Sequence, residues 1–272
     1  MRVPFVKMHG LGNDFIVLDG REEILPQVNA ALVMALADRH TGIGCDQLIV
    51  LERSTSADLR MRIFNGDGSE VEACGNASRA VGLLHGGAAR IETAGGIIAV
   101  APSPGGIAVE MGKPHFDWDA IPLAFAMDTL NMPVAWGDLT NPVAVNVGNP
   151  HVVLFVPDCD AVPLAELGPI IEHDALFPSR VNVNVATVTA RDAIRLRVWE
   201  RGAGLTRACG TGACATAVSA MRRGLVDRKV AVTLPGGKLA IEWRDDDQIV
   251  MTGPAMESFR GSFDPAEFGQ LA

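Results

Sequence analysis

The chain of 272 residues reads as two versions of one pattern. A Gly-Asn pair precedes a strand-like apolar run at Asn13 and again at Asn149, and a Cys-Gly pair opens a helical pattern at Cys74 and again at Cys209. Both features recur in the same order after about 135 positions. A repeat of this length predicts two homologous domains, since solenoids are built from much shorter units.

Between these landmarks most of the chain shows the alternation of apolar and polar residues that is typical of strands. Helical periodicity is confined to a few segments. The longer ones follow the cysteines, at 77–84 before Gly86-Gly87 and at 213–221 before Gly224. We therefore predict an α+β fold of two homologous, pseudo-symmetric domains, each a curled mixed β-sheet around a central helix.

Prolines add two expectations about the connections. Pro26 precedes a helical pattern at 28–36 and Pro163 precedes another at 164–171, so each proline is expected in the first turn of a shorter helix. The proline-rich stretch 113–133 is expected to connect the two halves.

Charge and cysteine usage exclude several classes of function. A net charge of −9 argues against nonspecific binding of nucleic acid. No apolar run reaches about 18 residues, and the N-terminal segment lacks the apolar region of a secretory signal. Five cysteines without Cys-x-x-Cys spacing favour reduced thiols in the cytoplasm over a disulfide framework. We expect a cytoplasmic protein with a small-molecule partner, without nucleic acid or membrane partners.

A cysteine at a helix start has special chemistry. The first N–H groups of a helix lack internal partners and can lower a thiol pKa from about 8.5 into the range of roughly 3.5–7.5. Such a thiolate is a general base near neutral pH, and the same N–H groups can hold a carboxylate. A thiolate on one face of an α-carbon and a thiol on the other would invert it without a cofactor. We predict Cys74 and Cys209 as this catalytic pair.

Cysteines also occur in proteins as packing residues and as metal ligands. A buried cysteine is usually a small, inert apolar side chain, which is the interpretation for Cys45, Cys159 and Cys214. Zinc ligation is disfavoured because no His or Cys at ligand spacing flanks Cys74 or Cys209. We therefore predict neither a metal nor a cofactor.

With these residues in place, the chain resembles the diaminopimelate epimerases over nearly its whole length. Seven segments carry the resemblance: HGLGNDF at 9–15, GCDQ at 44–47, FNGDGSE at 64–70, ACGN at 73–76, GNPH at 148–151, RVN at 180–182, and ERGAG at 200–204 running into ACGTG at 208–212. The family interconverts LL- and meso-2,6-diaminoheptanedioate without a cofactor. That reaction lies on the route to lysine and peptidoglycan precursors.

The resemblance implies roles for individual residues. Cys74 would act on the LL isomer and Cys209 on the meso isomer. His151 and Glu200 match residues that tune the pKa of the two thiols. The substrate has two amino-acid ends, of which one reacts. Arg201 suits the carboxylate of the other end, and Glu200 suits its ammonium group. The positions that match substrate-binding residues of the family are Asn13, Gln47, Asn65, Gly75, Asn76, Asn149, Asn182, Glu200, Arg201, Gly210 and Thr211.

The resemblance also implies a domain arrangement. We expect an N-terminal domain at 1–117, a C-terminal domain at 118–261, and a tail at 262–272 that returns to the first domain. The active site is expected in a cleft between the domains, which close on substrate, and the protein is expected to be a homodimer.

The chain departs from the family pattern at three positions. Many members carry Glu where this chain has Leu205, and a small residue such as Ala is more usual at Cys45. Phe259 stands near a dimer-contact Tyr of some members, and it keeps the apolar area of that side chain but lacks its hydroxyl.

Alternatives from neighbouring classes remain. Proline and 4-hydroxyproline racemases share the two-thiol chemistry, but they usually carry His where this chain has Asn76, and the Glu200-Arg201 pair would have no purpose for proline. Phenazine-biosynthesis isomerases lack the paired thiols. A non-catalytic amino-acid-binding or thiol redox protein is a third alternative. If the protein is an epimerase, a disulfide between Cys74 and Cys209 is expected to inactivate the enzyme.

Overall fold

The computed structural model describes residues 2–72 and 74–268. The chain divides into two compact units, Met1–Val109 with Gly253–Ala272, and Glu110–Thr252. These divisions fall eight and nine residues before the expected boundaries at 117/118 and 261/262. Of the expected tail, residues 269–272 lie outside the described part of the chain.

The elements follow one another along the chain as short strands with few helices. The first part forms β1 (Val3–Gly10), β2 (Asn13–Asp19), α1 (Ala30–Ala37), β3 (Gln47–Glu52), β4 (Leu59–Asn65), β5 (Glu70–Val71), α2 (Gly75–His85), β6 (Ala89–Thr93), β7 (Gly96–Ser103) and β8 (Gly106–Glu110). The middle part forms β9 (Ala135–Trp136), β10 (Leu139–Thr140), β11 (Val143–Asn146), β12 (Pro150–Phe155), α3 (Leu164–Glu172), β13 (Asn182–Ala190), β14 (Ala193–Glu200), β15 (Gly204–Thr206), α4 (Gly210–Arg222), β16 (Lys229–Leu234), β17 (Gly237–Trp243) and β18 (Ile249–Gly253). The last part forms β19 (Met256–Phe263) and α5 (Pro265–Phe268). In the described ranges, no helix is both long enough and apolar enough to span a bilayer.

The sheet of the first unit runs β19-β1-β2-β3-β4-β6-β7-β8, with β5 added to β4. The pairs β2-β3 and β4-β6 are parallel, and the other pairs are antiparallel. A parallel pair needs a crossover connection, which α1 and α2 supply. The mixed sheet follows from these two crossovers.

The second unit repeats the pairings that run from β1 to β8 in the first. Its sheet runs β11-β12-β13-β14-β16-β17-β18, with β15 added to β14. The parallel pairs are β12-β13 and β14-β16, and α3 and α4 are their crossovers. The prediction of two homologous α+β units with mixed sheets is confirmed.

Among the described helices, those that follow the cysteines are the most buried of their units. In α4 the residues from Gly212 to Ala220 are all buried, and the helix packs against β11, β12, β13, β14, β16 and β17. A helix that is buried on all sides needs small and apolar residues, which the alanines of α4 provide. In α2 residues 76–82 are buried, and the helix ends at Gly86 in a left-handed conformation with φ of 81°.

The start of α1 differs from the expectation. Pro26 was expected in its first turn, but α1 begins only at Ala30. The side chain of Asn29 accepts a hydrogen bond from the Leu32 N–H and caps the helix there. The first N–H groups of a helix have no acceptor within it, and a proline side chain offers them none. The asparagine side chain accepts from one of them and so fixes the first turn. In the second unit α3 does begin directly after Pro163.

Candidate active site

Both candidate catalytic cysteines are N-cap residues. Cys74 caps α2 with φ −148° and ψ 111°, and its sulfur accepts a hydrogen bond from the Ala77 N–H at 3.5 Å. Cys209 caps α4 with φ −124° and ψ 110°, and its sulfur accepts from the Gly212 N–H at 3.3 Å. The cap position is usually held by an oxygen side chain. Here a thiol stands in its place, beside N–H groups that have no partner within the helix.

Strand register places the polar candidates of the two units at matching positions. In the parallel pairs, Phe15 lies opposite Gln47 on β3, and His151 lies opposite Asn182 on β13. In the antiparallel pairs that follow, Gln47 lies opposite Asn65, and Val183 lies opposite Trp199. The latter register, continued by one residue, matches Asn182 with Glu200 at the end of β14. The pairs Asn13 and Asn149, Gln47 and Asn182, and Asn65 and Glu200 are therefore equivalent in the fold.

In the first unit, Asn13 links the thiol to the helix start. Its Oδ1 accepts from the Cys74 Sγ at 3.8 Å and from the Asn76 Nδ2 at 3.1 Å. Its Nδ2 donates to the Asp46 Oδ2 at 3.0 Å. Because a carboxylate only accepts, Asp46 fixes the orientation of the amide and keeps the Asn13 oxygen toward Cys74.

Asp46 belongs to an ion cluster that sequence reasoning missed. Arg39 Nη2 lies 2.6 Å from Asp14 Oδ1 and 2.7 Å from Asp46 Oδ1, and Lys7 also pairs with Asp14. Partial burial by itself raises the pKa of the Asp14 carboxyl, but Arg39 and Lys7 lower it well below its usual range. Asp14 and Asp46 both stand in the quoted motifs. Their closeness depends on the β2-β3 pairing, which was not assigned from the sequence.

Gln47 and Asn65 form the second polar group of the first unit. Gln47 Nε2 donates to Asn65 Oδ1 at 3.0 Å, and Asn65 Nδ2 donates to Ser69 Oγ at 3.2 Å. Within the described residues, the buried Gln47 Oε1 has no hydrogen-bond partner. A buried acceptor without a partner is costly, so this oxygen is a candidate to receive an N–H donor from a ligand.

In the second unit, the Cys209 thiol is buried, and the partly buried Glu200 carboxylate lies close enough to act on it through its charge. Burial raises the pKa of the Cys209 thiol well above its ordinary value, and the charge of Glu200 raises it further. Burial also raises the pKa of Glu200, although a hydrogen bond from Thr206 opposes that effect. The sequence predicts a lowered thiol pKa at a helix start, and for Cys209 that prediction is wrong in direction because burial outweighs the helix N–H groups.

A second set of contacts reaches Cys209 through Thr211. Its Sγ lies 3.5 Å from the Thr211 Oγ1, which accepts from the Asn149 Nδ2 at 3.4 Å. Asn149 Oδ1 lies 2.9 Å from the His151 Nε2. Complete burial is the main cause that lowers the pKa of His151 to about 3, so this imidazole is neutral at physiological pH.

Asn182 and Arg201 complete the polar residues of the second unit. Asn182 Oδ1 accepts from the Arg201 backbone N–H at 3.0 Å, and its Nδ2 donates to the Pro150 carbonyl at 2.9 Å. Arg201 is exposed, and its Nη1 donates to the Ser179 carbonyl at 2.9 Å.

Gly75 and Gly210 are the first helical residues after the two cysteines. Glycine at this position keeps side-chain atoms away from the helix start, where an anionic group could approach the N–H groups. No group of three or more His, Cys, Asp or Glu side chains in the described ranges is arranged to hold a metal ion.

The fold is shared with several enzymes of known structure. A Bacillus anthracis phenazine biosynthesis protein of the PhzF family aligns with a TM-score of 0.70 at 16% identity, covering 97% of this chain and 99% of that one. A hydroxyproline epimerase from Agrobacterium vitis, with bound trans-4-hydroxy-L-proline, aligns with a TM-score of 0.66 at 15% identity over 98% of this chain and 95% of that one. At these identities the likeness establishes the fold alone.

Sequence similarity is far stronger to one family. The diaminopimelate epimerase of Erythrobacter litoralis is 70% identical over 268 residues, covering 98% of this chain and all of that protein. The diaminopimelate epimerase of Rhizorhabdus wittichii is 64% identical over 99% of this chain and 98% of that protein. The sequence model of the diaminopimelate epimerase family matches residues 5–116 and 143–257. This chain belongs to the diaminopimelate epimerase family.

Proposed function

We propose that this chain is a cofactor-independent isomerase that converts LL-2,6-diaminoheptanedioate to the meso isomer, with Cys74 and Cys209 as the two acid/base groups. Family membership supports the isomerase class and the substrate. The observation that carries the two-thiol mechanism is the repeated geometry: each unit places one cysteine at the N-cap of its most buried helix.

The proposed chemistry balances protons without a cofactor. The Cys74 thiolate takes the α-hydrogen of the LL isomer as a proton, and the electron pair of the broken C–H bond delocalises into the adjacent carboxylate. Cys209 then gives its S–H proton to the opposite face of the carbon. One thiol gains a proton and the other loses one, so configuration inverts with no net change in protonation.

The charge that develops on the substrate needs donors. The N–H groups at the starts of α2 and α4, around Gly75, Asn76, Gly210 and Thr211, are suited to hold the reacting carboxylate. Donors that face the developing enolate-like charge stabilise it more than they stabilise the neutral α-carbon. These four residues are therefore proposed to act mainly through their backbone.

The distal end of the substrate carries an amino group and a carboxylate that do not react. The unpartnered Gln47 Oε1 supports a role as an acceptor for a substrate N–H group. The exposed guanidinium of Arg201 supports bidentate binding of a carboxylate. Asn13, Asn65, Asn149, Asn182 and Glu200 are proposed as the remaining substrate-binding residues.

The environment of Cys209 supports its role as the acid in this direction. Burial and Glu200 raise the pKa of its thiol, so it holds a proton that can be delivered. In the reverse direction Glu200 is suited to accept that proton, because its own pKa is raised by burial. Glu200 and His151 are thus proposed to tune the thiols, as the family resemblance implies.

Assembly and location are further parts of this proposal. We propose a cytoplasmic homodimer with each catalytic cysteine in its own domain. Phe259 on β19 supports an interface there, because half of its side chain is exposed while its ring packs edge-on against Phe5 with centroids 6.0 Å apart. A Phe259→Ser variant that remains dimeric in light scattering would place the interface elsewhere.

The proposal is tested by proton NMR in deuterium oxide, with the reduced protein and LL-diaminopimelate. We expect the meso isomer to appear with deuterium at the α-carbon, because the thiols exchange protons with solvent. L-proline and 4-hydroxyproline run in parallel serve as controls. Racemisation of a proline without turnover of diaminopimelate would assign the chain to the sister activity and contradict the proposal.

A further inference from the structure

The second unit contains a buried polar pair where the first unit has apolar residues. His151 and Asn184 are both fully buried. Strand register makes His151 equivalent to Phe15 and Asn184 equivalent to Ile49, since Val17 lies opposite Ile49 as Val153 lies opposite Asn184. The first unit therefore shows that this fold needs no polar side chain at either position.

The contacts of Asn184 fix the direction of its amide. Its Nδ2 lies 2.9 Å from the Val152 carbonyl and 3.3 Å from the Asn182 carbonyl, so this end must be the NH2 group. The same NH2 group lies 3.1 Å from the His151 Nδ1. An NH2 group has no lone pair to offer an N–H donor, so Nδ1 is the acceptor and the proton of the neutral imidazole is on Nε2.

This tautomer orders the contacts that follow. The Nε2–H of His151 donates to Asn149 Oδ1, which turns the Asn149 NH2 group toward the Thr211 Oγ1. Because Thr211 accepts there, its own O–H is available to donate to the Cys209 Sγ at 3.5 Å. The chain of hydrogen bonds thus runs in one direction from Asn184 to the sulfur.

We infer that Asn184 is a positioning residue that holds His151 in the Nε2–H tautomer, so that Thr211 donates to the sulfur of Cys209 when that thiol has lost its proton. The inference deepens the proposed function, on which its catalytic meaning rests. A buried thiolate is costly unless donors surround it, and the Gly212 N–H and the Thr211 O–H are two such donors.

Two other features support the assignment. Gly212 stands at the helix position where α2 has Ala77, and a Cβ on Gly212 would lie 2.7 Å from the Asn184 Oδ1. The helix therefore makes room for the Asn184 amide. Two charged residues act on the ends of this series of hydrogen bonds. Arg201 disfavours protonation of His151, and Glu200 faces Cys209.

The first test is the tautomer of His151 in the wild-type protein. Nitrogen-15 NMR of histidine-labelled protein distinguishes protonated from unprotonated ring nitrogens, and His151 is assigned by its loss in a His151→Phe variant. We expect a protonated Nε2 and an unprotonated Nδ1. A proton on Nδ1 overturns the proposal, and this measurement needs neither substrate nor an Asn184 variant.

The second test compares Asn184→Ile with wild type, using the residue of the equivalent position in the first unit. Iodoacetamide alkylation of Cys209 is followed by peptide mass spectrometry across pH. Loss of the oriented donor should raise the apparent thiol pKa by about one unit, which is about tenfold slower alkylation at a fixed pH below that pKa. The His151 nitrogen signals should also show both tautomers.

Controls separate positioning from folding. Ser219→Ala alters another fully buried polar side chain in the same unit, outside the hydrogen-bond chain, and should change neither readout. If Asn184→Ile does not fold, Asn184→Ala is measured in its place. A folded Asn184 variant with an unchanged tautomer and an unchanged alkylation profile overturns the proposal. Because neither readout uses substrate, a failure here is distinct from a failure of the wild-type enzyme to epimerise diaminopimelate.

Discussion

At the scale of single residues, the two cysteines share a cap position but differ in their side-chain neighbours. The amide oxygen of Asn13 faces Cys74, whereas Glu200 and the hydroxyl of Thr211 reach Cys209. The equivalent asparagines are held in opposite orientations, because Asp46 accepts from the NH2 group of Asn13 and His151 donates to the oxygen of Asn149. A duplicated fold therefore gives its two thiols unequal environments.

Replacing either cysteine tests whether both are required for proton transfer. We expect Cys74→Ala and Cys209→Ala each to lower epimerisation by at least about 10³-fold, since each removes one of two obligatory proton-transfer groups. Each variant should still exchange the α-hydrogen of one isomer with solvent, which NMR in deuterium oxide detects. Cys159→Ala, which removes a buried cysteine of the second unit, is the matched control. Full activity of either catalytic variant would contradict the two-base scheme.

The charge of Glu200 raises the pKa of Cys209, after burial as the larger cause. Glu200→Gln should therefore lower that pKa and shift the alkylation profile of Cys209 to lower pH. Turnover should fall nonetheless, because the amide cannot accept the thiol proton. Glu172→Gln is a matched control, since Glu172 is buried in the same unit and bonds instead to Trp199 and Gly202. An alkylation profile of Glu200→Gln that moves to higher pH would refute the charge effect.

His151 links folding to pH. Burial lowers its pKa from 6.5 to about 3, so the unfolded chain binds a proton that the folded chain does not. The stabilisation is present above pH 6.5 and is lost as the pH falls toward 3, by up to about 1.4 kcal/mol per pH unit. Urea unfolding across this range should show a shallower pH dependence for His151→Phe than for wild type. Equal slopes in the two proteins would contradict the assignment of a neutral, buried imidazole.

At the scale of elements, the helix after each cysteine is both the central packing element of its unit and the donor of N–H groups to the sulfur. Its first turn leaves little room in the second unit, where Gly212 meets Asn184, Val198 and the Cys209 sulfur. Activity and stability are therefore coupled through one turn of α4.

Gly212→Ala tests this coupling. A Cβ there would lie 2.7 Å from Asn184 Oδ1 and 3.2 Å from Cys209 Sγ, so we expect a loss of about 1–3 kcal/mol in the free energy of unfolding together with a loss of turnover. Gly87→Ala is the control, because nothing lies within 4 Å of its added Cβ and its φ is not positive. Denaturant unfolding and the epimerase assay measure both effects. A Gly212→Ala variant as stable and active as Gly87→Ala would show that the first turn of α4 accommodates a methyl group, which contradicts the prediction.

At the scale of the whole molecule, the proposed mechanism requires that both thiols reach one substrate carbon. If both thiols reach the same carbon, an oxidant can join them into a disulfide, and activity is then lost. We expect mild oxidation to produce a Cys74–Cys209 disulfide in peptide mapping, and a thiol reductant to restore turnover. An oxidised protein that turns over substrate as fast as the reduced one would contradict this expectation.

The sequence by itself determined the duplication, the α+β class and the cysteines at helix starts. All three depend on local periodicity and on spacing along the chain. Cys74 before a helical pattern and Gly86 after it are visible in the sequence without any tertiary contact. It also identified polar candidates, because Gly-Asn and Glu-Arg pairs stand in recognisable motifs.

The tertiary structure alone decided the partners of those residues. Strand register brings Asp46 to Asn13 and Asn184 to His151, across spacings that periodicity does not encode. Burial reversed the expected pKa shift of Cys209, since desolvation depends on how completely α4 is enclosed. Register and burial arise from contacts between distant segments, and so the sequence names the reacting groups while the fold sets their protonation.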